Sequence, residues 1–352
     1  VTKVQTDPDP ETALLASAGG EAGVLATSGG GGRYGVAKWV ARRLALSVVV
    51  LFLVSIVVFV ATQALPSDPA EAILGRDATP QRVAALTEQL NLDKPMLEQY
   101  TSWLGGVLTG DLGDSLAAQR PVADEIGSAF VNSIALLICC AIVLLPLAIG
   151  FGAWSAMRRD SFGDRGGLGA ALLVGAIPDF VIGIVMTILL ATNVFKVLPA
   201  VALFPDGSSP FSHPDALVLP TLTLVIASMP YLYRLSRASM IEILESDYVQ
   251  MARLKGVSSK RIMVRHALPN ALVPTIQASA LVLSLLLSGV VVIEFLFRFP
   301  GLGSELAESV SNRDLPMIQT ITLIYAAVIV LLNLIADLLT VMVSPRLRGE
   351  LK

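Results

Sequence analysis

Ser246–Pro274, SDYVQMARLKGVSSKRIMVRHALPNALVP, lies between two long apolar runs, and its reading organises the rest of the chain. Arg253, Lys255, Lys260, Arg261 and Arg265 make it basic. Short basic loops resist translocation, so the segment is expected to face the cytoplasm. Ile241, Leu244, Tyr248, Met251 and Ala252 recur at helical spacing, which predicts a helix with one apolar face before Gly256. Gly256 permits a left-handed backbone that a side chain would penalise. A second helical stretch is expected over Ser258–Ala267, closed by Pro269. A helix-turn-helix with an apolar stripe at the membrane face is suited to docking. A solvated basic loop that only sets topology fits the same spacing.

Composition places the chain in a membrane. Hydrophobic residues make up 54% and charged residues 15%, with a mean hydropathy of +0.71. A soluble domain carries about 25% charged residues. Cys139 and Cys140 are adjacent within an apolar run, where a bridge would be strained, so they read as small packing residues. Residues 1–35, rich in Gly, Ala, Ser, Thr and Asp, have nothing with which to build a core and read as a disordered tail. The Gly29–Gly32 run lacks the Lys-Ser/Thr of a phosphate-binding loop.

The first span is expected at about Val40–Leu65, within residues 36–65. It is too long for a signal peptide and lacks a small-residue cleavage site, so a retained anchor is expected. Residues 66–127 are polar and acidic and suit the outside. Within them, Thr79 and Pro80 predict the N-cap and first residue of a helix over Gln81–Leu90, with another near Leu97–Val107. Further spans are expected near Ala129–Ala153, Leu168–Thr192, Ala216–Leu235, Thr275–Phe297 and Met317–Val343, each near the ~20 residues a crossing requires. Seventeen Lys and Arg fall in segments 33–43, 158–165, 234–265 and 346–352, against seven in 66–126, 193–215 and 298–316. That bias predicts six spans with both termini cytoplasmic, including a short tail over 346–352.

Four polar residues in or near spans are candidates for a pore or gate: Asp179, Glu294, Asn333 and Asp337. Asp179 follows Pro178, and both pore lining and structural hydrogen bonding fit it. Glu294 and Arg298 are four apart and suited to pair. His213 reads as a surface residue, and His266 as one that packs or hydrogen-bonds. There is no Walker A sequence, no HExxH or GxSxG in a span, and no convergent nucleophile, base or metal ligands. The chain therefore reads as a non-catalytic path without an energy source or cofactor of its own. A secondary transporter would show inverted repeats and mid-span charges, and neither is evident.

The central segment resembles the cytoplasmic EAA loop of binding-protein-dependent ABC importer permeases. Gln250, Met251 and Ala252 stand at the EAA positions, Gly256 at the glycine, His266 at the isoleucine, and Leu268 and Pro269 at the closing Leu-Pro. The first two EAA residues and the isoleucine are replaced. The wording DYVxxARxKG and RHALxNAxxP instead resembles the dipeptide/oligopeptide branch. So do three other stretches: LNLDKPMLEQYTSWLGGVLTGDLGDSL at Leu90–Leu116, FPGLGSELAESVSNRDLP at Phe299–Pro316, and DLLTVMVSPRLRG at the end, where Ser344 replaces an aspartate.

The resemblance implies an all-α membrane protein of six transmembrane helices with the type I ABC importer permease fold. It implies an extracytoplasmic insert at 66–127 and a five-helix core at 128–345 containing a coupling loop at 237–274. The implied ATPase-coupling residues are Asp247, Tyr248, Met251, Ala252, Arg253, Lys255, Gly256, Arg265, His266, Pro269 and Asn270. The implied partners are a second homologous permease, two ABC ATPases that bind ATP and Mg, an extracytoplasmic substrate-binding protein and the bacterial plasma membrane; no nucleic acid is expected. The substrate expected is a di- or oligopeptide. Nickel, haem and glutathione are also carried by this branch.

Overall fold

The computed structural model describes residues 32–63, 78–89, 94–205 and 207–343. Residues 1–31 of the expected tail, 64–65 at the end of the expected first span, 66–77 and 90–93 of the expected insert, and 344–352 lie outside the described residues, as does the His266 side chain.

Long apolar runs have no water to satisfy backbone groups in a bilayer, so they close their own hydrogen bonds as helices. The first, α1, spans Gly32–Gln63, so 32–35 open this helix instead of closing the tail. The polar stretch contributes two short helices, α2 (Pro80–Gln89) and α3 (Met96–Thr109). The expected cap is present: the Arg82 amide donates to Thr79 Oγ1 at 3.4 Å. Tyr100 and Trp103 of α3 pack on Phe59 of α1, with ring centroids 5.4 and 5.8 Å away. This fixes the polar segment to one end of the bundle, hereafter the insert end.

The second span, α4, covers Val122–Met157, longer at both ends than expected. The third is a broken pair. Helix α5 (Phe162–Gly175) and helix α6 (Asp179–Thr187), which continues as a π turn over Ile188–Thr192, are bent by 98°. One span over Leu168–Thr192 with a proline kink at Pro178 is the expectation, and the bend falls there but is sharp enough to separate two helices. Pro178 has no amide to donate and disfavours helical geometry in the residue before it, so the break falls at 176–178. Helix α7 (Pro214–Glu245) runs ten residues beyond the expected end at Leu235. After α7 come α8 (Asp247–Leu254), α9 (Ser259–Ile262) and a π turn at Met263–Ala267; helix α10 (Leu268–Phe297) follows without a break. Helix α11 (Leu302–Asn312) and the last span, α12 (Leu315–Val343), complete the chain. Among the described residues five helices are long and apolar enough to cross a membrane, or six if the bent pair is one span.

Burial divides the helices by role. In the most apolar stretch of α7, 61% of residues are buried, against 17% in α1 and in α12. Helix α7 is therefore the hub. Leu224 and Leu232 of α7, Leu136 and Leu144 of α4, and Val290 and Ile293 of α10 are fully enclosed in one core. A Cβ on Gly152 of α4 would lie 2.8 Å from Ser236 Cβ and 2.9 Å from the Arg237 amide, so only glycine allows α4 and α7 to approach this closely. Helices α1 and α12 keep apolar side chains such as Val48, Val57 and Leu331 exposed, as lipid-facing helices do. Cys140 is buried and Cys139 partly so, and both are free thiols. His213 is not a simple surface residue: it stacks on Phe204 at 5.7 Å just before α7.

Candidate functional site

The basic segment is a discrete, capped unit. Helix α7 stops at Glu245 because Ser246 turns extended (ψ 149°). The Ser246 hydroxyl donates back to the Ile243 carbonyl at 2.5 Å. Helix α8 then begins with Asp247 in its first turn and has Arg253 in its last, both favourable to the helix dipole. Its end is a Schellman motif: the Gly256 amide donates to the Arg253 carbonyl at 2.9 Å, and Val257 to Ala252 at 3.1 Å. Gly256 has φ +77° there. A Cβ at that position would have nothing within 4 Å, so the requirement for glycine is conformational and not steric.

The apolar face differs from the expected one. Because Ser246 breaks the helix, Ile241 and Leu244 stay with α7 and pack against the buried Met240, Met263 and Ala267. Tyr248 and Met251 are turned outward beside Leu254, which is 82% exposed. Ala252 is half-buried, and Val249, a residue the periodicity did not single out, is the anchor at 0% exposure. Arg253, Lys255, Lys260, Arg261 and Arg265 are exposed, as are Asp247, Pro269 and Asn270.

Pro269 does not close a helix. The chain is helical from Ser259 to Phe297, and the Leu268 amide reaches back five residues to Met263 in a π turn. A proline in a helix interior lacks a donor and crowds the carbonyl four residues earlier; the wider π turn accommodates both. His266 lies in this turn, within the helical stretch expected over Ser258–Ala267.

Close to this unit, Asp164 at the start of α5 is 1% exposed. It takes both Nε (2.6 Å) and a terminal nitrogen (2.7 Å) of Arg237 on α7, together with the Ser155 hydroxyl of α4. Three helices are thus pinned immediately before the segment. Neither residue was singled out as a site; an acid inside a basic loop was the available signal.

The four pore or gate candidates do not come together. Asp179, half-buried at the break before α6, has Oδ2 only 2.9 Å from where a Cβ on Gly289 of α10 would lie. Asp337 of α12 pairs with Arg43 of α1 at 3.2 Å and accepts from Gln277 of α10 at 3.3 Å. The exposed Asn333 donates to its own helix at Ile329 (2.8 Å). Glu294 is fully buried and does not pair with Arg298, which leaves α10 in a left-handed conformation (φ 54°) and is exposed. Glu294 instead accepts from the Ser133 hydroxyl at 2.6 Å and the Gly303 amide at 2.6 Å. Asn132 donates to the Pro300 carbonyl at 2.7 Å, and Ser133 accepts from the Leu302 amide at 2.8 Å. This cradle holds the Pro300–Gly303 turn at the insert end. Asp314 does similar work beside it, accepting from Ser115 (2.5 Å) and the Ala117 amide (3.2 Å) across the start of α12. The residues Asn132, Ser133, Ser115 and Asp314 were missed as a group, since nothing in local spacing joins them.

Comparison with known proteins gives a consistent result. The family described as "Binding-protein-dependent transport system inner membrane component" matches residues 148–349. Its N-terminal companion matches residues 36–149. A provisionally named peptide transport system permease protein of Brucella abortus is 34% identical over 309 residues, covering 88% of this chain and 98% of that one. Glutathione transport system permease proteins of Escherichia coli and Salmonella typhi are each 35% identical, over 315 and 317 residues, covering 88% of this chain and 99% of theirs.

Proposed function

This chain belongs to the family of binding-protein-dependent transport system inner membrane components, and from that premise we propose that it forms, with a second homologous permease, the alternating-access path for short peptides. It is a non-catalytic, multi-pass inner-membrane subunit of an ABC importer. In the proposed assembly an extracytoplasmic binding protein delivers the substrate, and residues 66–127 lie on that side to meet it. Two ATPase subunits, which bind ATP and Mg, dock from the cytoplasm, where both termini lie. Relatives named for peptide and for glutathione transport support a peptide substrate, since glutathione is itself a small peptide.

The observation that carries this reading is the presentation of α8. Val249 and the Schellman turn hold the helix, while Tyr248, Met251 and Leu254 face outward with the exposed Arg253 and Lys255 at its end. An apolar centre with a charged border is the anatomy of a protein interface. Movement of α8 has two rigid exits. One is α7, the hub. The other is the continuous helix Ser259–Phe297, roughly 58 Å long at ~1.5 Å per residue, whose far end carries Glu294. A push at α8 is thereby delivered to the turn that Glu294 holds, at the opposite end of the bundle. Gly289 lies along this helix and Asp179 of α6 packs against it there; the two are the pair proposed to border the path.

ATP hydrolysis by the purified assembly in lipid tests the proposal, with and without binding protein and a peptide mixture that includes glutathione. Stimulation by peptides supports it. An assembly that forms but responds only to nickel or haem overturns the substrate class, and a chain that recovers no ATPase overturns the importer assignment.

A further inference from the structure

A charged cleft and an apolar groove meet at Trp154, and apart from Arg253 the proposed docking of α8 uses none of the residues that line them. The cleft, about 550 Å³, lies between the end of α4, the end of α7 and the α8 segment. Trp154, Arg158, Arg159, Glu245 and Arg253 line its polar part. Arg158 lies over the Trp154 ring, 5.1 Å from its centroid. Arg159 is paired with Glu245. Arg159 also lies 3.7 Å from Asp160, so three arginines face two acids and the cleft keeps a surplus of one positive charge. The groove, about 330 Å³, starts from the other side of Trp154 and runs along α5 and α7, lined by Phe151, Ala170, Val174, Ile226 and Met229. The face of α7 that lines the groove at Ile226 and Met229 lines the cleft one to two turns below Arg237, at Ile241 and Leu244. Phe162 at the start of α5 is 95% exposed, and its neighbour Gly163 lies against the Trp154 ring.

The geometry points to a binding site for one anionic glycerophospholipid, its phosphate in the arginine cleft and an acyl chain in the groove. Charge complementarity selects the head: basic pockets between helices on the cytoplasmic side attract anionic head groups, and each arginine near the surface contributes independently. The continuous apolar groove selects a lipid over a free anion, because a phosphate ion would leave it empty. Arg253 belongs both to this cleft and to the exposed end of α8, so the lipid sits directly behind the docking helix and stiffens it. Placement in the inner leaflet rests on the topology proposed above, but lipid binding is read without any transport measurement, so the two fail separately.

The test uses the full chain with its co-purifying subunits in neutral detergent, titrated with phosphatidylglycerol or phosphatidylcholine of identical acyl chains and read by native mass spectrometry. Phosphatidylglycerol is expected to be retained about tenfold more tightly than phosphatidylcholine. Arg158→Gln lowers that preference about fivefold, and Glu245→Gln raises it. Ala170→Trp, which fills the groove, weakens both lipids; Val174→Trp serves if the first does not fold. Equal retention of the two lipids by the wild type, or an Arg158→Gln preference unchanged from wild type, overturns the site. Displacement of the lipid by excess inorganic phosphate, or tryptophan variants that bind as wild type, overturns the lipid assignment in favour of a free anion.

Discussion

Gly256→Val perturbs one torsion and little else. The residue has φ +77°, and a Cβ there would meet no atom within 4 Å, so any cost comes from the left-handed backbone. For alanine that cost is ~1–2 kcal/mol; a β-branched side chain in this region approaches ~3 kcal/mol. Asparagine tolerates the conformation and should cost less. Opposing this strain are two hydrogen bonds of the Schellman motif, each ~0.5–1.5 kcal/mol, and the burial of Val249, ~1.5–3 kcal/mol. Alanine therefore leaves the turn populated, whereas valine comes close to cancelling what holds α8 in place. Binding-protein-stimulated ATP hydrolysis and peptide uptake in proteoliposomes should fall in the order Gly, Asn, Ala, Val, with membrane insertion unchanged. A well-expressed Gly256→Val with wild-type uptake would refute the reasoning. So would variants ranked by side-chain volume, with asparagine worse than alanine, because the site has space to spare.

Exposed and buried faces of α8 should respond oppositely: Leu254→Asp is expected to reduce co-purification of the ATPase while leaving thermal unfolding within about 0.5 kcal/mol, whereas Val249→Asp lowers stability itself. Removing one partner of a buried ion pair strands the other, so Asp164→Ala should cost ~3–5 kcal/mol, seen as a lower unfolding temperature in detergent. Exchanging both residues, Asp164→Arg with Arg237→Asp, should recover part of that loss, and an unaltered single variant would contradict the pairing. At the other end, Glu294→Ala removes two hydrogen bonds worth ~0.5–1.5 kcal/mol each. Amide hydrogen exchange at Gly301–Gly303 should rise in the order wild type, Glu294→Gln, Glu294→Ala; equal protection in all three would show that the turn holds itself.

Much of the architecture was legible because it depends on one-dimensional signals. Apolar length marks α1, α4, α7, α10 and α12, since a helix is the way a run of such residues satisfies its backbone in lipid. The Thr79–Pro80 start of α2 and the glycine turn at Gly256 were readable for a similar reason: both are set by torsions and hydrogen bonds within a few residues. Prolines were less reliable guides. Pro178 breaks its span by 98°, while Pro269 is absorbed by a π turn. The outcome depends on what packs around the freed backbone, and spacing does not contain that.

By itself, then, the amino-acid sequence determined the membrane class, most of the spans, the turn at Gly256 and the family resemblance, all of which follow from composition and local order. Only the tertiary structure decided that Val249 anchors α8 while Met251 and Leu254 face out, because the break at Ser246 rotates one stripe away from another. It alone joined Asp164 to Arg237, Glu294 to Ser133 and Gly303, and Ser115 to Asp314. A buried carboxylate must find donors wherever the packing brings them, and partners as far apart in the chain as Ser115 and Asp314 become neighbours only when the helices around them have closed.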